Sequence, residues 1–234
     1  MHILLTVLGF AFFIGLDYVL SRRRAAREQL APAKAAAAAI ADAAMPVSEP
    51  VWVAGYQLPE NLHYHRGHTW ARVLDKDTVA VGLDDFSRRV VGDVDRVRLP
   101  SVGSYQRQGR RGFEVGRKGR LAGLLAPVEG EVVALNEEVT EDPATVAKDP
   151  YGRGWLYKVR VSNLAENLRN LLNGRLAQRW TEDERDQLEL RLMVLQGSVL
   201  QDGGEPSPDF AEHLDTQDWR DLTEAFLLTP SDVD

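Results

Sequence analysis

The sequence contains no cysteine among its 234 residues. Disulfide bonds, zinc–thiolate sites, iron–sulfur ligation and thiol nucleophiles are therefore excluded. The sequence also lacks a Gly-x-Ser-x-Gly nucleophile elbow and the strand–glycine loop–helix order of a phosphate-binding motif. Because no catalytic constellation is present, we predict that the protein is not an enzyme.

The histidines do not indicate a metal site either. His63, His65 and His68 lie close together in the sequence. On a strand, however, the first two share a face and the third points away from it. Since no carboxylate or cysteine stands at ligand spacing to complete a tetrahedral site, we predict that no metal is bound.

Charge is unevenly distributed along the chain. The net charge of −7 argues against general nucleic-acid binding. Residues 86–120 nevertheless carry ten Arg or Lys against three acids, whereas residues 201–234 carry ten acids against Arg220 alone. Blocks of opposite sign either pair with each other, bind separate partners or remain solvated surfaces.

The longest apolar run occupies residues 3–20. About 18 residues at ~1.5 Å rise cover ~27 Å, close to the ~30 Å of a bilayer core. The positive charges follow this run rather than preceding it, as Arg22, Arg23, Arg24 and Arg27. The positive-inside rule then predicts a transmembrane helix at residues 1–21 of the inner membrane, with the N-terminus outside and the soluble part in the cytoplasm. A cleaved targeting peptide is the alternative, although its charges would normally stand before the apolar run.

Two further regions follow the apolar run. Residues 22–50 are rich in alanine without a clear apolar stripe, which indicates a helical stalk or loose tether. Residues 51–175 carry short period-two runs separated by turn residues, which indicates a mainly β domain. The runs are residues 78–82, 96–99, 131–135 and 156–161. Residues 84–92 instead predict a short helix with an acidic cap and a C-terminal glycine.

Four sequence blocks stand in a fixed order along this domain. They are Tyr64-His65-Arg66-Gly67-His68-Thr69-Trp70; Val81-Gly82-Leu83-Asp84-Asp85-Phe86 continuing to Leu99-Pro100-Ser101-Val102-Gly103; Ala126-Pro127-Val128-Glu129-Gly130-Glu131-Val132; and Asp149-Pro150-Tyr151-Gly152-Arg153-Gly154-Trp155. Together they resemble the glycine cleavage system H-protein family over roughly residues 56–175. The resemblance implies an H-protein-like barrel-sandwich hybrid with flanking helices.

The same resemblance implies a lipoyl attachment point, which this sequence changes. In the family, a lysine at the tip of a tight hairpin carries lipoate through an amide bond. Counting back from the Ala126–Gly130 block, that lysine should fall at position 119, which is Gly119. Because glycine has no side-chain amine, we predict that this protein carries neither lipoate nor any other cofactor. Lipoylation of the preceding Lys118 is the alternative.

The loop around this position is basic, whereas the family's corresponding loop carries acids. Its candidate partner-binding residues are Arg110, Arg111, Arg117, Lys118 and Arg120. A basic loop on a tethered cytoplasmic domain favours binding to acidic protein or anionic lipid. A solvated hairpin without a ligand remains the alternative.

Residues 176–234 extend beyond a typical H protein and predict a helical extension with an acidic tail. Leucines recur at helical spacing over residues 163–180, and Thr181-Glu182-Asp183-Glu184 reads as the capping-box start of a second helix reaching about Leu200. That helix either contacts two surfaces or packs back on its own domain. After a Gly/Pro linker at residues 203–208, Trp219 and Phe226 stand among acids, which predicts a docking helix for a partner groove.

These observations support three hypotheses. The first is a non-enzymatic, membrane-anchored scaffold, an accessory or assembly subunit that binds membrane protein subunits through the basic hairpin, the acidic tail or both. The second is a lipoyl carrier using Lys118 in a glycine cleavage or related redox system. The third is a periplasmic adaptor, which would need the opposite orientation and a long coiled-coil hairpin that the sequence lacks. The sequence leaves the oligomeric state open.

Overall fold

Antiparallel strands dominate the computed structural model, which describes residues 48–196 and 210–228. The strands are β1 (Pro50–Val53), β2 (Tyr56–Pro59), β3 (His63–His65), β4 (Thr69–Val73), β5 (Thr78–Leu83), β6 (Arg96–Arg98), β7 (Tyr105–Gln106), β8 (Arg111–Arg117), β9 (Arg120–Leu125), β10 (Gly130–Leu135) and β11 (Tyr157–Arg160). A six-stranded sheet has the order β3-β4-β5-β11-β10-β7, a three-stranded sheet has the order β6-β8-β9, and β1 pairs with β2. The predicted mainly β fold is confirmed.

Six α-helices flank these sheets in the described part of the chain. They are α1 (Asp85–Val91), α2 (Glu137–Glu141), α3 (Thr145–Lys148), α4 (Leu164–Arg169), α5 (Gly174–Gln196) and α6 (Thr216–Leu227). Helix α1 confirms the short helix expected at residues 84–92. The Asp84 carboxylate caps its N-terminus by accepting from the Ser87 N–H at 2.7 Å. Gly92 ends it with a φ of 82°, a left-handed conformation that glycine adopts without strain.

The six-stranded sheet is covered on both faces, so its central strand β5 is buried along its whole length. Val79, Val81 and Leu83 face the main core, which lies between this sheet, the three-stranded sheet and the helices. Ala80 faces a second cluster containing Trp70 and Trp180. The indole of Trp70 lies over Gly82 so closely that a Cβ there would stand 2.3 Å from the ring. The sheet therefore requires glycine at this position.

The C-terminal helices differ from the sequence prediction at one boundary. The break falls after Arg169 rather than at Thr181, and Thr181 lies inside α5, where its hydroxyl donates to the Ala177 carbonyl at 2.9 Å. The capping-box interpretation of Thr181 was therefore wrong. The cause is a tertiary contact, because Leu172 exchanges two 2.8 Å backbone hydrogen bonds with Tyr64 of β3. This pairing with the sheet edge draws the backbone out of helical conformation.

Helix α5 packs back on its own domain and contacts two surfaces in doing so. Its first half contributes Ala177 and Trp180 to the second cluster. Its second half contributes Leu188 and Leu192 to the main core. The two arrangements that the sequence left open for this helix are therefore both present.

The predicted membrane segment at residues 1–21 and most of the tether at residues 22–50 lie outside the described residues. Within residues 48–196 and 210–228, no helix combines the length and apolarity that crossing a bilayer requires.

His68 occupies the junction between the sheet and the helices. It is fully buried, with a φ of 58°, and its Nδ1 lies 2.8 Å from an Asp84 carboxylate oxygen. Its ring stacks between Phe86 of α1 and Trp180 of α5, with centroids 4.1 and 4.5 Å away. Its Nε2 lies 3.8 Å from a Glu184 oxygen, within ion-pair distance. Burial alone would lower the pKa of His68, but Asp84 and Glu184 outweigh it and raise the pKa to about 9.

We predict that stability depends on the charge of His68. Because the folded-state pKa exceeds its ordinary value of 6.5, the stabilisation is fully present below pH 6.5 and is lost as pH rises through about 9. The loss should be on the order of 3 kcal/mol, from ~1.4 kcal/mol per pKa unit. Urea unfolding at several pH values should show this slope in the wild type and in His213→Gln, whose residue is exposed, but not in His68→Gln. An unchanged slope in His68→Gln would contradict the prediction.

Candidate functional site

The candidate site is the hairpin formed by β8 and β9, together with the C-terminal segment (residues 210–228) that covers one of its ends. Arg117 pairs with Arg120, which leaves Lys118 and Gly119 as a two-residue turn. Both turn residues have positive φ, 48° and 81°, as a type I′ turn requires. The Lys118 N–H donates to an Asp95 carboxylate oxygen at 2.6 Å, while the Lys118 side chain is exposed. The turn therefore presents a primary amine to solvent.

Arg117 is buried beneath the C-terminal segment. Only 1% of its surface is exposed. Its Nη1 donates to the Ala211 carbonyl at 2.6 Å, and its Nη2 lies 3.5 Å from a Glu212 carboxylate oxygen. The guanidinium rests on Gly92, where an added Cβ would stand 3.1 Å from it. The glycine that ends α1 thus makes room for the arginine.

Arg120 contacts the same segment four residues further along the chain, at Asp215. Its Nη1 donates to the Asp215 carbonyl at 3.1 Å, and its guanidinium carbon lies 4.9 Å from the centre of the Trp219 ring. Such a cation–π contact contributes roughly 0.5–1 kcal/mol at exposed sites and more when desolvated. Burial, and then the neighbouring Arg117, lower the pKa of this guanidinium.

The aromatic residues of the C-terminal segment face the domain. The Trp219 indole N–H donates to the Val91 carbonyl of α1 at 3.0 Å, and Trp219 is 2% exposed. Phe226 packs on Phe86 with ring centroids 5.2 Å apart, which extends the stack that contains His68. The prediction that Trp219 and Phe226 face an external partner is corrected: in this structure their binding surface is the protein itself.

The basic residues expected on one loop are divided between the two ends of the hairpin. Arg110 and Arg111 lie at the far end of β8, about 20 Å from the Lys118–Gly119 turn at ~3.3 Å per strand residue. Both are exposed, and Arg111 forms an ion pair with Glu114 at 2.8 Å. Arg117 and Arg120 contact the C-terminal segment instead, so among the turn residues only Lys118 extends freely as the sequence predicted. The candidate residues Arg110, Arg111, Arg117, Lys118 and Arg120 therefore do not form a single basic surface.

The contacts between the arginines and the carbonyls of Ala211 and Asp215 were not predicted from the sequence. Backbone carbonyls leave no side-chain signature, and Arg117 lies 94 residues from Ala211. One indication of this contact was present in the sequence, which is the opposite charge of residues 86–120 and residues 201–234. Chemically, this arrangement can bind a peptide, since two guanidinium groups each hold a carbonyl and one also holds an aromatic ring.

Comparisons with known proteins found a family model, curated relatives and a solved structure that are similar to this chain. The family model described as "Glycine cleavage H-protein" matches residues 62–184. A "Probable glycine cleavage system H protein" of Pyrococcus abyssi is 38% identical over 121 residues, which cover 52% of this chain and 90% of that protein. A "Glycine cleavage system H protein" of Mycobacterium avium is 43% identical over 108 residues, which cover 46% of this chain and 82% of that protein. The crystal structure of a glycine cleavage system H protein from Mycobacterium marinum matches with a TM-score of 0.47 and 31% sequence identity. The match covers 54% of this chain and 98% of that chain. The family match ends before the C-terminal segment begins.

We predict that Trp219 controls the attachment of the C-terminal segment. Replacing it by alanine removes a buried ring that would be worth about 3–5 kcal/mol in a fully coupled core. Amide hydrogen exchange in α6 should accelerate at least about ten-fold, which corresponds to ~1.4 kcal/mol of local stability. Trp52→Ala is the matched control, because Trp52 is 62% exposed, and it should leave this exchange rate unchanged. Equal exchange rates in the two variants would show that Trp219 does not hold the segment.

Proposed function

The chain belongs to the glycine cleavage H-protein family, and from this premise we propose that it is a membrane-anchored, non-lipoylated member that acts as a scaffold. It would serve as an accessory or assembly subunit of a membrane protein complex and would not be an enzyme. The observation that carries this proposal is that Arg117 and Arg120 donate hydrogen bonds to the backbone of the C-terminal segment, which lies outside the family match. The two residues that flank the turn, where the resemblance places the family's lipoyl lysine, here contact a segment of the same chain.

The turn itself supports the loss of the carrier role. Gly119 stands where the family's lipoyl lysine is expected, and its φ of 81° suits glycine. The coverage of the hairpin beside its turn is a second support. A carrier hairpin must enter the active sites of other proteins, whereas here the C-terminal segment contacts Arg117 and Arg120 beside the turn.

The membrane location rests on the sequence. The apolar run at residues 3–20 and the arginines that follow it support an anchor in the inner membrane with the N-terminus outside. The domain would then face the cytoplasm, next to the cytoplasmic surfaces of membrane protein subunits and to anionic headgroups. These subunits are the partners that we propose.

A second candidate function is a lipoyl carrier that uses Lys118. The exposed side chain of Lys118 at the first position of the turn favours it, because the structure requires no slip of the hairpin register to present this amine. Attachment would form an amide bond between the Lys118 nitrogen and the lipoyl carbonyl carbon. It would break the bond between that carbon and the leaving group of an activated acyl donor, and one amine proton would pass to solvent.

Intact-mass spectrometry distinguishes these two functions. We expect the chain isolated from its own cells, grown with lipoate, to have its unmodified mass, and we expect the same of Lys118→Arg apart from the substitution. A lipoyl-sized increment in the wild type that disappears in Lys118→Arg would establish the carrier and end the scaffold proposal. Arginine preserves the positive charge while removing the acylatable amine, so folding and surface charge stay matched.

Purification in mild detergent tests the scaffold directly. We expect membrane protein subunits to co-purify with the full chain. Lys118→Glu should lower their recovery by roughly two- to five-fold, because an exposed charge contributes at most about 1 kcal/mol. Lys76→Glu is the charge-matched control, since Lys76 is exposed on the turn between β4 and β5. Recovery of the wild type as a lone monomer would contradict an accessory-subunit role.

A further inference from the structure

The C-terminal segment is attached through contacts typical of a bound peptide. Arg117 and Arg120 hold the carbonyls of Ala211 and Asp215, and Arg120 also lies over the Trp219 ring. Within the described residues, the Nε of Arg117 makes no hydrogen bond and its Nη2 has only the 3.5 Å ion pair with Glu212, so the segment does not use the full donor capacity of this buried guanidinium. A ligand with an additional acceptor at this point would bind the arginine more completely.

The segment is also a self-contained helical unit. Asp215 caps α6 by accepting from the Asp218 N–H at 2.8 Å, so this helix N-terminus needs no capping group from the domain. One face of α6 buries Trp219, Leu222 and Phe226, while acids occupy much of the other. An amphipathic helix of this kind is a common form of peptide ligand.

Chain connectivity does not lock the segment in place. Thirteen residues, 197–209, join α5 to Phe210, and so many residues can span up to ~45 Å when extended. On the side of α5, an open groove of about 500 Å³ separates the two helices between Leu190, Val194 and Asp221. Arg191 of α5 also lies over the Phe226 ring, 5.7 Å from its centroid, so the segment is held by the hairpin, α1 and α5 together. Because no strand of the described sheets comes from residues 210–228, departure of the segment breaks no hydrogen bond between strands.

We propose that the C-terminal segment is a displaceable internal ligand, and that the surface beneath it binds an acidic amphipathic helix of a partner protein. This surface consists of Arg117, Arg120 and the Phe86–Val91 face of α1. The proposal rests on the scaffold function, for which it names the chemistry of the partner. Release of the segment opens the surface, and the partner helix replaces it.

Electrostatics define what the partner helix must carry. The two arginines lie near the N-terminal end of α6, where the helix dipole already places partial positive charge. Glu212, Asp215 and Asp218 offset this repulsion, so a replacement helix needs acids before and within its first turn. It also needs tryptophan rather than phenylalanine at the position of Trp219, because the indole N–H donates to Val91.

Exchange of the segment in the full chain tests the proposal without a destabilising substitution. A specific protease site is inserted between Gly203 and Gly204, the full-length protein is cleaved, and a fluorescein-labelled peptide of residues 208–230 is added. We expect the labelled peptide to replace the native segment, measured by fluorescence anisotropy, and unlabelled peptide to compete. The Trp219→Ala peptide should bind at least ten-fold more weakly, and a scrambled peptide of the same composition should not bind. The uncleaved chain should bind the labelled peptide at least ten-fold more weakly than the cleaved chain does, because its own segment stays tethered.

The other outcomes overturn the proposal. If the native segment stays bound after cleavage and never exchanges, it is an integral part of the fold. If it dissociates and the labelled peptide does not bind, the surface is not a ligand site. If uncleaved chains form dimers by exchanging segments, seen by size-exclusion chromatography with light scattering, the occupant is a second copy rather than a partner protein. Lipoylation found by mass spectrometry would end the scaffold function but would not alter these results, so the two failures are distinguishable.

Discussion

The ion pair between His68 and Asp84 is the contact on which the arrangement of helices depends. Asp84 uses one oxygen to cap α1 and the other to hold the His68 ring. The ring in turn separates Phe86 from Trp180, and Phe86 receives Phe226 from the C-terminal segment. One charged side chain thus fixes how α1, α5 and α6 lie on the sheet. A buried pair of this kind stabilises only when both partners are present, since either charge alone would be costly.

The same junction explains a local strain. His68 has a φ of 58°, which is unusual for a residue other than glycine, and its backbone is held by the Ser87 hydroxyl and the Asp84 N–H, which both donate to its carbonyl. The preceding Gly67 leaves no room for a side chain, because a Cβ there would stand 2.9 Å from the Leu227 carbonyl. The turn before β4 is therefore shaped by the C-terminal segment as well as by its own sequence.

Local patterns in the sequence were sufficient where the structure is locally determined. Period-two alternation located β5, β10 and β11, and the acidic cap and terminal glycine located α1. The break between α4 and α5 was not predictable, because it depends on Leu172 pairing with Tyr64, more than a hundred residues away. For the candidate site, the sequence located the turn at Lys118 and Gly119 but not the burial of Arg117. An arginine looks the same in sequence whether it is solvated or lies under a distant segment.

The thirteen residues that join α5 to the C-terminal segment limit which partners can succeed. A connection of this length holds a tethered ligand at an effective concentration on the order of millimolar. A free helix at ordinary cellular abundance would rarely compete with the tethered segment. A partner held in the same membrane, at the location proposed above, would have a higher local concentration and would compete with the segment more effectively.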